Sequence, residues 1–161
     1  MGGRPIHGEA TRWTIEGVQQ LKARHLPEAV NAFEKAADAD PNHPVVWNNL
    51  GTAYLALDHG GKAEGAFKRA IGLDPNYALA HYNLGSVRDA ALDYDGAISS
   101  YARALELDPK LDDPAVNPAI VNNTHLAAVH LILYRKLGGT LGGSVTTIDN
   151  PGPKSKAGAS N

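Results

Sequence analysis

Apolar residues recur through most of the chain at the three- and four-residue spacing of an amphipathic helix. In the middle of the chain they form two stripes, one over residues 47–55 and the other over residues 63–71. The sequence DHGG at residues 58–61 separates the stripes and is typical of a turn. Asp74-Pro75 ends the second stripe, because Pro disfavours helical geometry in the residue before it. The pattern therefore predicts two helices joined by a short turn.

The same pair of helices occurs three times with a period of about 34 residues, which is the length of one stacked helical hairpin. The repeating columns are Trp13/Trp47/His81, Gly17/Gly51/Gly85, Ala29/Ala63/Ala97, Phe33/Phe67/Tyr101, Ala36/Ala70/Ala104, Asp40/Asp74/Asp108 and Pro41/Pro75/Pro109. The spacing predicts first helices at 10–24, 44–57 and 78–91 and second helices at 27–39, 61–73 and 95–107. The small residues let the two helices of a unit approach closely, and the rings fill the space beside them.

Residues 47–75 (WNNLGTAYLALDHGGKAEGAFKRAIGLDP) and 81–109 (HYNLGSVRDAALDYDGAISSYARALELDP) closely resemble tetratricopeptide repeats, and residues 13–41 are a more degenerate copy. The resemblance implies an all-α fold, a right-handed superhelix of three helix-turn-helix repeats over 10–43, 44–77 and 78–109. It also implies that the first helices line a concave groove and the second helices form the convex side.

The 34-residue period ends at Pro109, so the remaining chain needs a separate interpretation. Residues 110–117 are predicted to form a linker within a C-terminal unit that spans 110–137. Asn117-Pro118 is typical of a helix start and Gly138 of a helix end, which predicts a capping helix over 118–137. The alternative is that Asn-Asn-Thr at 122–124 divides this segment into two shorter helices.

Apolar residues surround the segment 118–137 on more than one helical stripe, which indicates burial on more than one side. One interpretation is that it covers the apolar face of the last repeat. In the other, its outer face meets another chain or turns into the protein's own groove. The residues of this second interface would be Leu126, Val129, Leu133 and Tyr134.

Composition narrows the class of protein. The chain has 161 residues, of which 17 are Gly and 10 are Pro. Most of these Gly and Pro residues lie in the repeat columns or in the segments 1–9 and 138–161, which are predicted to be flexible. It has no Cys, so disulfides and thiolate metal sites are excluded, and its net charge of −2 gives no basic footprint for nucleic acid. No apolar run is long enough to span a bilayer, and the start MGGRPIHGEA lacks the apolar region of a secretory signal. We therefore expect a soluble, cytoplasmic protein without membrane insertion.

The sequence contains no recognisable catalytic or metal-binding pattern. The seven His are scattered, and His125 and His130 are five residues apart rather than at the four-residue spacing of a helical zinc pair. Gly pairs such as Gly60-Gly61 lack the strand-to-helix setting of a phosphate loop. The sequence predicts no catalytic residue, no metal and no cofactor, and His81 is interpreted as a packed or partly exposed ring in a Trp column.

The groove is the candidate site, and its polar residues are predicted to be Asn48, Asn49, Thr52, Tyr82, Asn83, Ser86 and Asp89. Asn49 and Asn83 occupy the same position in successive repeats and should stack along the groove. A carboxamide has both a donor and an acceptor, so it can pair with the backbone of an extended peptide. The arrangement is similar to the asparagine ladder of some peptide-binding tetratricopeptide proteins. The alternative is that these Asn hydrate the groove or brace adjacent helices.

The resemblance also allows a check for the carboxylate clamp that some tetratricopeptide domains use on acidic chaperone tails. The matching positions hold Thr14, Val18, Leu79 and Asn83 in place of the clamp residues, and only Asn49 agrees. The expected ligand is therefore neutral or mixed in charge.

Two functions remain. The first is a non-catalytic adaptor or scaffold that binds an unidentified peptide segment of a partner protein in the groove. The second is a structural protein that forms a homo-oligomer or larger assembly through the repeats or the 118–137 helix.

Overall fold

The computed structural model describes residues 8–138, and within this range all regular secondary structure is helical. Predictions for the segments 1–7 and 139–161 lie outside the described residues. The α-helices are α1 (Gly8–Lys22), α2 (Leu26–Ala39), α3 (Pro44–Ala56), α4 (Gly60–Leu73), α5 (Ala78–Ala90), α6 (Tyr94–Leu107) and α7 (Leu126–Lys136). Two short 3-10 helices, Pro109–Asp112 and Pro118–Asn122, lie between α6 and α7.

The helices α1 to α6 form three hairpins that stack side by side. Each first helix packs against the second helix of its own repeat, and each second helix packs against the first helix of the next repeat. The first helices α1, α3 and α5 also contact one another in order. All six helices begin and end within two residues of the predicted positions, and the predicted all-α repeat fold is confirmed.

A contact between glycine and an aromatic ring closes each hairpin. A Cβ atom built on Gly17 or Gly51 would lie 2.6 Å from Cε1 of Phe33 or Phe67, and one on Gly85 would lie 2.7 Å from the Tyr101 ring. These separations are far below van der Waals contact, so only glycine fits. The prediction that small residues allow close helix approach is confirmed.

The turns inside the hairpins share a left-handed residue that the sequence pattern did not reveal. Arg24, Asp58 and Leu92 have φ angles of 64°, 61° and 63°, and they occupy the same position in the three repeats. The N–H of the following residue donates to the carbonyl five residues before it, at 2.9 Å in each repeat, which closes a Schellman-type helix end. This position normally favours glycine, and here three other residue types occupy it.

The predicted continuous helix over 118–137 is wrong, and the alternative of a divided segment is correct. The chain forms a 3-10 helix at Pro118–Asn122 and begins α7 only at Leu126. The Asn123 side chain explains the break, because its Oδ1 accepts a hydrogen bond from the His125 N–H at 2.9 Å. Such a local bond offers the backbone an alternative to the helical ladder.

Helix α7 runs parallel to α6 and covers the last repeat. At one end the His125 ring lies 5.2 Å from the ring of Tyr94, and at the other Lys136 Nζ lies 3.5 Å from Glu106 Oε2. Between these ends Val129 is fully buried, in a cluster that includes residues of α5, α6 and both 3-10 helices. The C-terminal segment therefore completes the core of the third repeat.

Candidate functional site

One stripe of exposed and half-buried residues on each of the three first helices contributes to a common surface, which we call the inner face. On α3 these residues follow the three- and four-residue spacing of one side of a helix. Because α1, α3 and α5 are neighbours, the equivalent stripes lie beside one another. The inner face comprises Ile15, Val18 and Lys22 from α1, Val45, Asn49, Thr52 and Ala56 from α3, and Leu79, Asn83, Ser86 and Ala90 from α5.

The inner face combines aliphatic and carboxamide side chains at adjacent positions. Val45 and Leu79 lie one helical turn before Asn49 and Asn83, and Ile15 is the residue of α1 equivalent to Asn49. Ile15 is 54% exposed and Leu79 is 37% exposed, while Val45 is half-buried. Asn49 therefore has an aliphatic residue one turn before it on its own helix, and exposed aliphatic residues also lie on both neighbouring first helices.

The structure corrects the prediction for Asn48, which is only 3% exposed and is not available to a partner. Its Oδ1 accepts a hydrogen bond of 3.0 Å from Nδ2 of Asn83, and its backbone carbonyl accepts one from Thr52 Oγ1 at 3.0 Å. The Asn48–Asn83 bond joins α3 to α5. Of the two asparagines assigned to the ladder, Asn83 thus makes the contact that the alternative interpretation describes, since its carboxamide braces adjacent helices.

Asn49 differs from its repeat equivalent Asn83. It is half-buried on the inner face, and its carboxamide makes no hydrogen bond to another described residue. A buried or half-buried amide without a partner loses interactions that water or a ligand would supply. Asn49 therefore presents an unused donor and an unused acceptor at the centre of the inner face.

The predicted residues of the third repeat lie where the C-terminal segment packs on α5. Tyr82 is buried, which corrects its assignment to the groove surface, and its ring lies 4.9 Å from that of Tyr101. Asp89 Oδ1 lies 3.0 Å from Nε2 of His125. Ser86 Oγ donates to the Tyr82 carbonyl and accepts from Tyr101, both at 3.4 Å.

An open cleft of about 400 Å³ lies beside these residues, between α5, α6 and the second 3-10 helix. Its lining residues are Tyr82, Ser86, Asp89, Ala90, Tyr101, Ala119, Asn122 and Asn123. Nδ2 of Asn123 lies 3.5 Å from the Tyr82 hydroxyl, in a contact equivalent to that of Asn83 with Asn48. The C-terminal segment thus takes the place beside α5 that α5 takes beside α3. No periodic signal in the sequence marks Asn122, Asn123 or His125.

The predicted second interface on α7 is largely intramolecular. Val129 is fully buried, and Leu126 and Leu133 are half-buried against the core of the third repeat, so these three residues pack within the chain. α7 packs mainly on α6 rather than on the first helices. The exposed apolar side chains of this helix region are Leu131, Tyr134 and Leu137, at 38%, 46% and 87% exposure.

Charge is sparse on the inner face. Lys22 is its one charged member, and Asp89 at its edge already contacts His125. Within residues 8–138, no group of three His, Cys, Asp or Glu side chains is arranged to hold a metal ion. No described helix combines the length and apolar character needed to cross a membrane. The chemistry offered by this surface is hydrogen bonding and apolar contact.

Comparison with known proteins identifies the class. The tetratricopeptide repeat profile matches residues 16–77 and again 49–112, which together cover more than half of the chain. The stacked hairpins define a helical repeat protein, and the chain belongs to the tetratricopeptide repeat family. The sequence matches no curated protein.

Several solved structures are similar to this chain. The first tetratricopeptide domain of human RPAP3 is 28% identical with a TM-score of 0.65, and the match covers 82% of this chain and 98% of that one. The first such domain of Spaghetti (RPAP3), bound to the HSP90 peptide SRMEEVD, is 27% identical with a TM-score of 0.63, covering 81% and 94%. The TPR2B domain of yeast Sti1, in its pHsp70 complex, shares the fold at 20% identity and a TM-score of 0.61, covering 82% and 98%.

Proposed function

We propose that the protein is a non-catalytic interaction module, an adaptor or scaffold that holds an extended segment of a partner protein across the inner face. The unpaired carboxamide of Asn49 carries this proposal, because it can pair with both the N–H and the C=O of a peptide backbone. The similar domain of Spaghetti (RPAP3) binds a peptide, which supports the same use of the fold here.

The partner of this chain differs in charge from the peptide of that neighbour. The HSP90 peptide SRMEEVD contains three acidic residues, whereas the inner face offers Lys22 as its one cation. An acidic segment would lose hydration on this surface and find only Lys22 as a counterion for its three acidic groups. We expect a partner segment that is neutral or mixed in charge, bound with little dependence on salt.

The test compares affinity capture by the wild-type chain and by an Asn49→Ala variant from an extract of the native cells. Asn31→Ala is the matched control, because Asn31 is an exposed asparagine on the second helix α2. Proteins retained by both the wild type and the control but lost from Asn49→Ala would be inner-face partners. If the Asn49→Ala variant retains the same proteins in the same amounts, the proposed function is contradicted.

A second function, self-assembly through α7, has one observation in its favour. Leu131, Tyr134 and Leu137 place large apolar side chains on the outside of the C-terminal region. Sedimentation of the full chain over a range of concentrations tests it. A concentration-dependent increase in mass that Leu131→Glu abolishes would favour assembly, and a constant monomer mass would rule it out.

A further inference from the structure

Large hydrophobic side chains are exposed mainly in the C-terminal third of the described chain. Nine such residues are exposed in the part of the chain that the structure describes, and seven of them lie within residues 92–137. On α7, the exposed residues Ala127, Leu131 and Tyr134 follow the four- and three-residue spacing of one helix face. The buried Val129 lies on the opposite face, towards α6. We call the row formed by Ala127, Leu131 and Tyr134 the outer stripe. Clustered apolar groups on a surface indicate an interaction site more strongly than isolated ones do.

The position of α7 in the stack leaves room for another helix along the outer stripe. α7 packs on α6 as α3 packs on α2 and α5 packs on α4, so it takes the place of a fourth first helix. The first helices of the three repeats are each covered by the second helix of their own repeat. No further helix follows α7 within the described residues. A helix from another molecule can therefore pack there without displacing a described element.

We propose that the outer stripe binds α7 of a second copy of this chain, packed antiparallel about a two-fold axis close to Leu131. This inference rests on self-assembly, the second of the functions proposed above, and adds its geometry. Leu131 is the central residue of the 11-residue helix, so antiparallel packing brings it against its own copy.

The side chains of the outer stripe are complementary in size in this arrangement. Tyr134 lies three residues after the centre of α7, and Ala127 lies four residues before it. In an antiparallel pair, the large ring of Tyr134 in one copy is therefore opposite the small side chain of Ala127 in the other. Large and small residues at facing positions let two surfaces interdigitate.

Charge complementarity favours antiparallel over parallel packing. α7 has no acidic residue, and Arg135 near its end makes no ion pair with another described residue. The start of α7 lies near acidic groups, because the His125 ring is 5.2 Å from that of Tyr94, and the exposed Asp95 follows Tyr94 in the chain. Antiparallel packing brings Arg135 of each copy towards Asp95 of the other. Parallel packing would place the two Arg135 side chains together, where like charges repel.

The length of α7 determines how strong this dimer can be. A helix of 11 residues is about 16 Å long, so two of them bury less area than a stable dimer requires. We therefore expect a weak dimer that forms at about 0.5 mM protein and dissociates at about 1 µM. The mass measured by sedimentation should rise about twofold over this range.

Disulfide cross-linking tests the orientation, because the chain has no Cys of its own. On oxidation at about 0.5 mM, Leu131→Cys should form a linked dimer, since the two Cα atoms at the axis lie within the roughly 7 Å that a disulfide spans. Leu137→Cys should stay unlinked, because residue 137 lies six residues from the axis in each copy, which separates the two by about 18 Å along the helices. Gly65→Cys, exposed on α4, is the control for random collision.

The outcomes separate this inference from self-assembly in general. Cross-linking by Leu137→Cys but not by Leu131→Cys, or equal yields from these two variants and Gly65→Cys, would overturn the antiparallel pair. An increase in sedimentation mass without a Leu131→Cys cross-link would overturn the inference and leave self-assembly standing. A monomer mass at every concentration would overturn both, including the case in which residues 139–161 of the same chain cover α7.

A charge exchange tests the predicted contact between Arg135 and Asp95. Arg135→Glu and Asp95→Lys should each weaken dimerisation by at least about threefold, because each puts like charges at both ends of the interface. The double variant carries both changes and restores opposite charges, so its dimerisation should return to within about twofold of the wild type. A double variant as weak as the weaker single variant would overturn the inference.

Discussion

Nδ2 of Asn83 lies 3.0 Å from Oδ1 of Asn48, and this hydrogen bond joins the first helices of the second and third repeats. Asn48 is buried, so removing its partner leaves a carboxamide oxygen without a hydrogen bond. We predict that Asn83→Ala lowers the free energy of unfolding by about 1–3 kcal/mol. Urea denaturation measures the change.

Asn49→Ala is the control for that prediction. Its carboxamide has no partner among the described residues, and we expect the free energy of unfolding to change by less than about 0.5 kcal/mol. This contrast separates the structural asparagine from the one assigned to binding. Equal destabilisation by the two variants would contradict the separation.

The glycine contacts predict opposite effects for two substitutions of the same kind. A Cβ on Gly51 would lie 2.6 Å from the Phe67 ring, whereas a Cβ on Gly65 would meet nothing within 4 Å. Gly51→Ala should therefore destabilise the protein by about 1–3 kcal/mol through overpacking. Gly65→Ala, in the interior of α4, should stabilise it by up to about 1 kcal/mol. Chemical denaturation of the two variants compares them directly, and a neutral Gly51→Ala would show that the hairpin is not closely packed there.

The left-handed turn residue predicts a stabilising substitution. Leu92 has φ of 63° and is 71% exposed, so its side chain contributes little packing while its backbone is strained. We predict that Leu92→Gly raises the free energy of unfolding by about 1 kcal/mol. Asp58→Gly at the equivalent position should gain less, because Asp tolerates this conformation better than Leu does. A lower melting temperature for Leu92→Gly would contradict the assignment of strain.

The pKa of Tyr54 predicts how stability changes at alkaline pH. Partial burial, followed by the hydrogen bond that its hydroxyl donates to Glu34 at 2.6 Å, raises the pKa of Tyr54 to about 12. The unfolded chain loses this proton near pH 10. The stabilisation that the raised pKa of Tyr54 represents is therefore full below pH 10, and it is lost as the pH rises towards 12. In an NMR titration, Tyr54 should ionise after an ordinary tyrosine, and Glu34→Gln should lower its pKa. A Tyr54 pKa near 10 in the wild type would contradict this environment.

The repeat helices could be predicted because their contacts are periodic. Each repeat-column glycine meets the ring on the second helix of its own hairpin, so the sequence displays both partners of the contact at a fixed spacing. The replacement of Trp by His81 also follows the pattern. Nε2 of His81 pairs with the Pro75 carbonyl at 2.9 Å, as Nε1 of Trp47 donates to that of Pro41 at 2.8 Å.

Two features of the site could not be predicted in this way. Asn48 and Asn49 are neighbours in sequence, and successive residues of a helix are rotated by about 100°. The side chain of Asn48 therefore lies between α3 and α5, while that of Asn49 lies on the inner face. Which of the two is buried depends on where the next hairpin lies. The contacts of Asn123 and His125 occur once in the chain, so no period reveals them.

The most direct test of the central claim is hydrogen exchange of the full-length protein with and without a partner obtained by capture. If the inner face binds the partner, amide protection should increase in α1, α3 and α5 and remain unchanged in α2, α4 and α7. Protection confined to α7, or to the second helices, would contradict the assignment of the inner face as the binding surface.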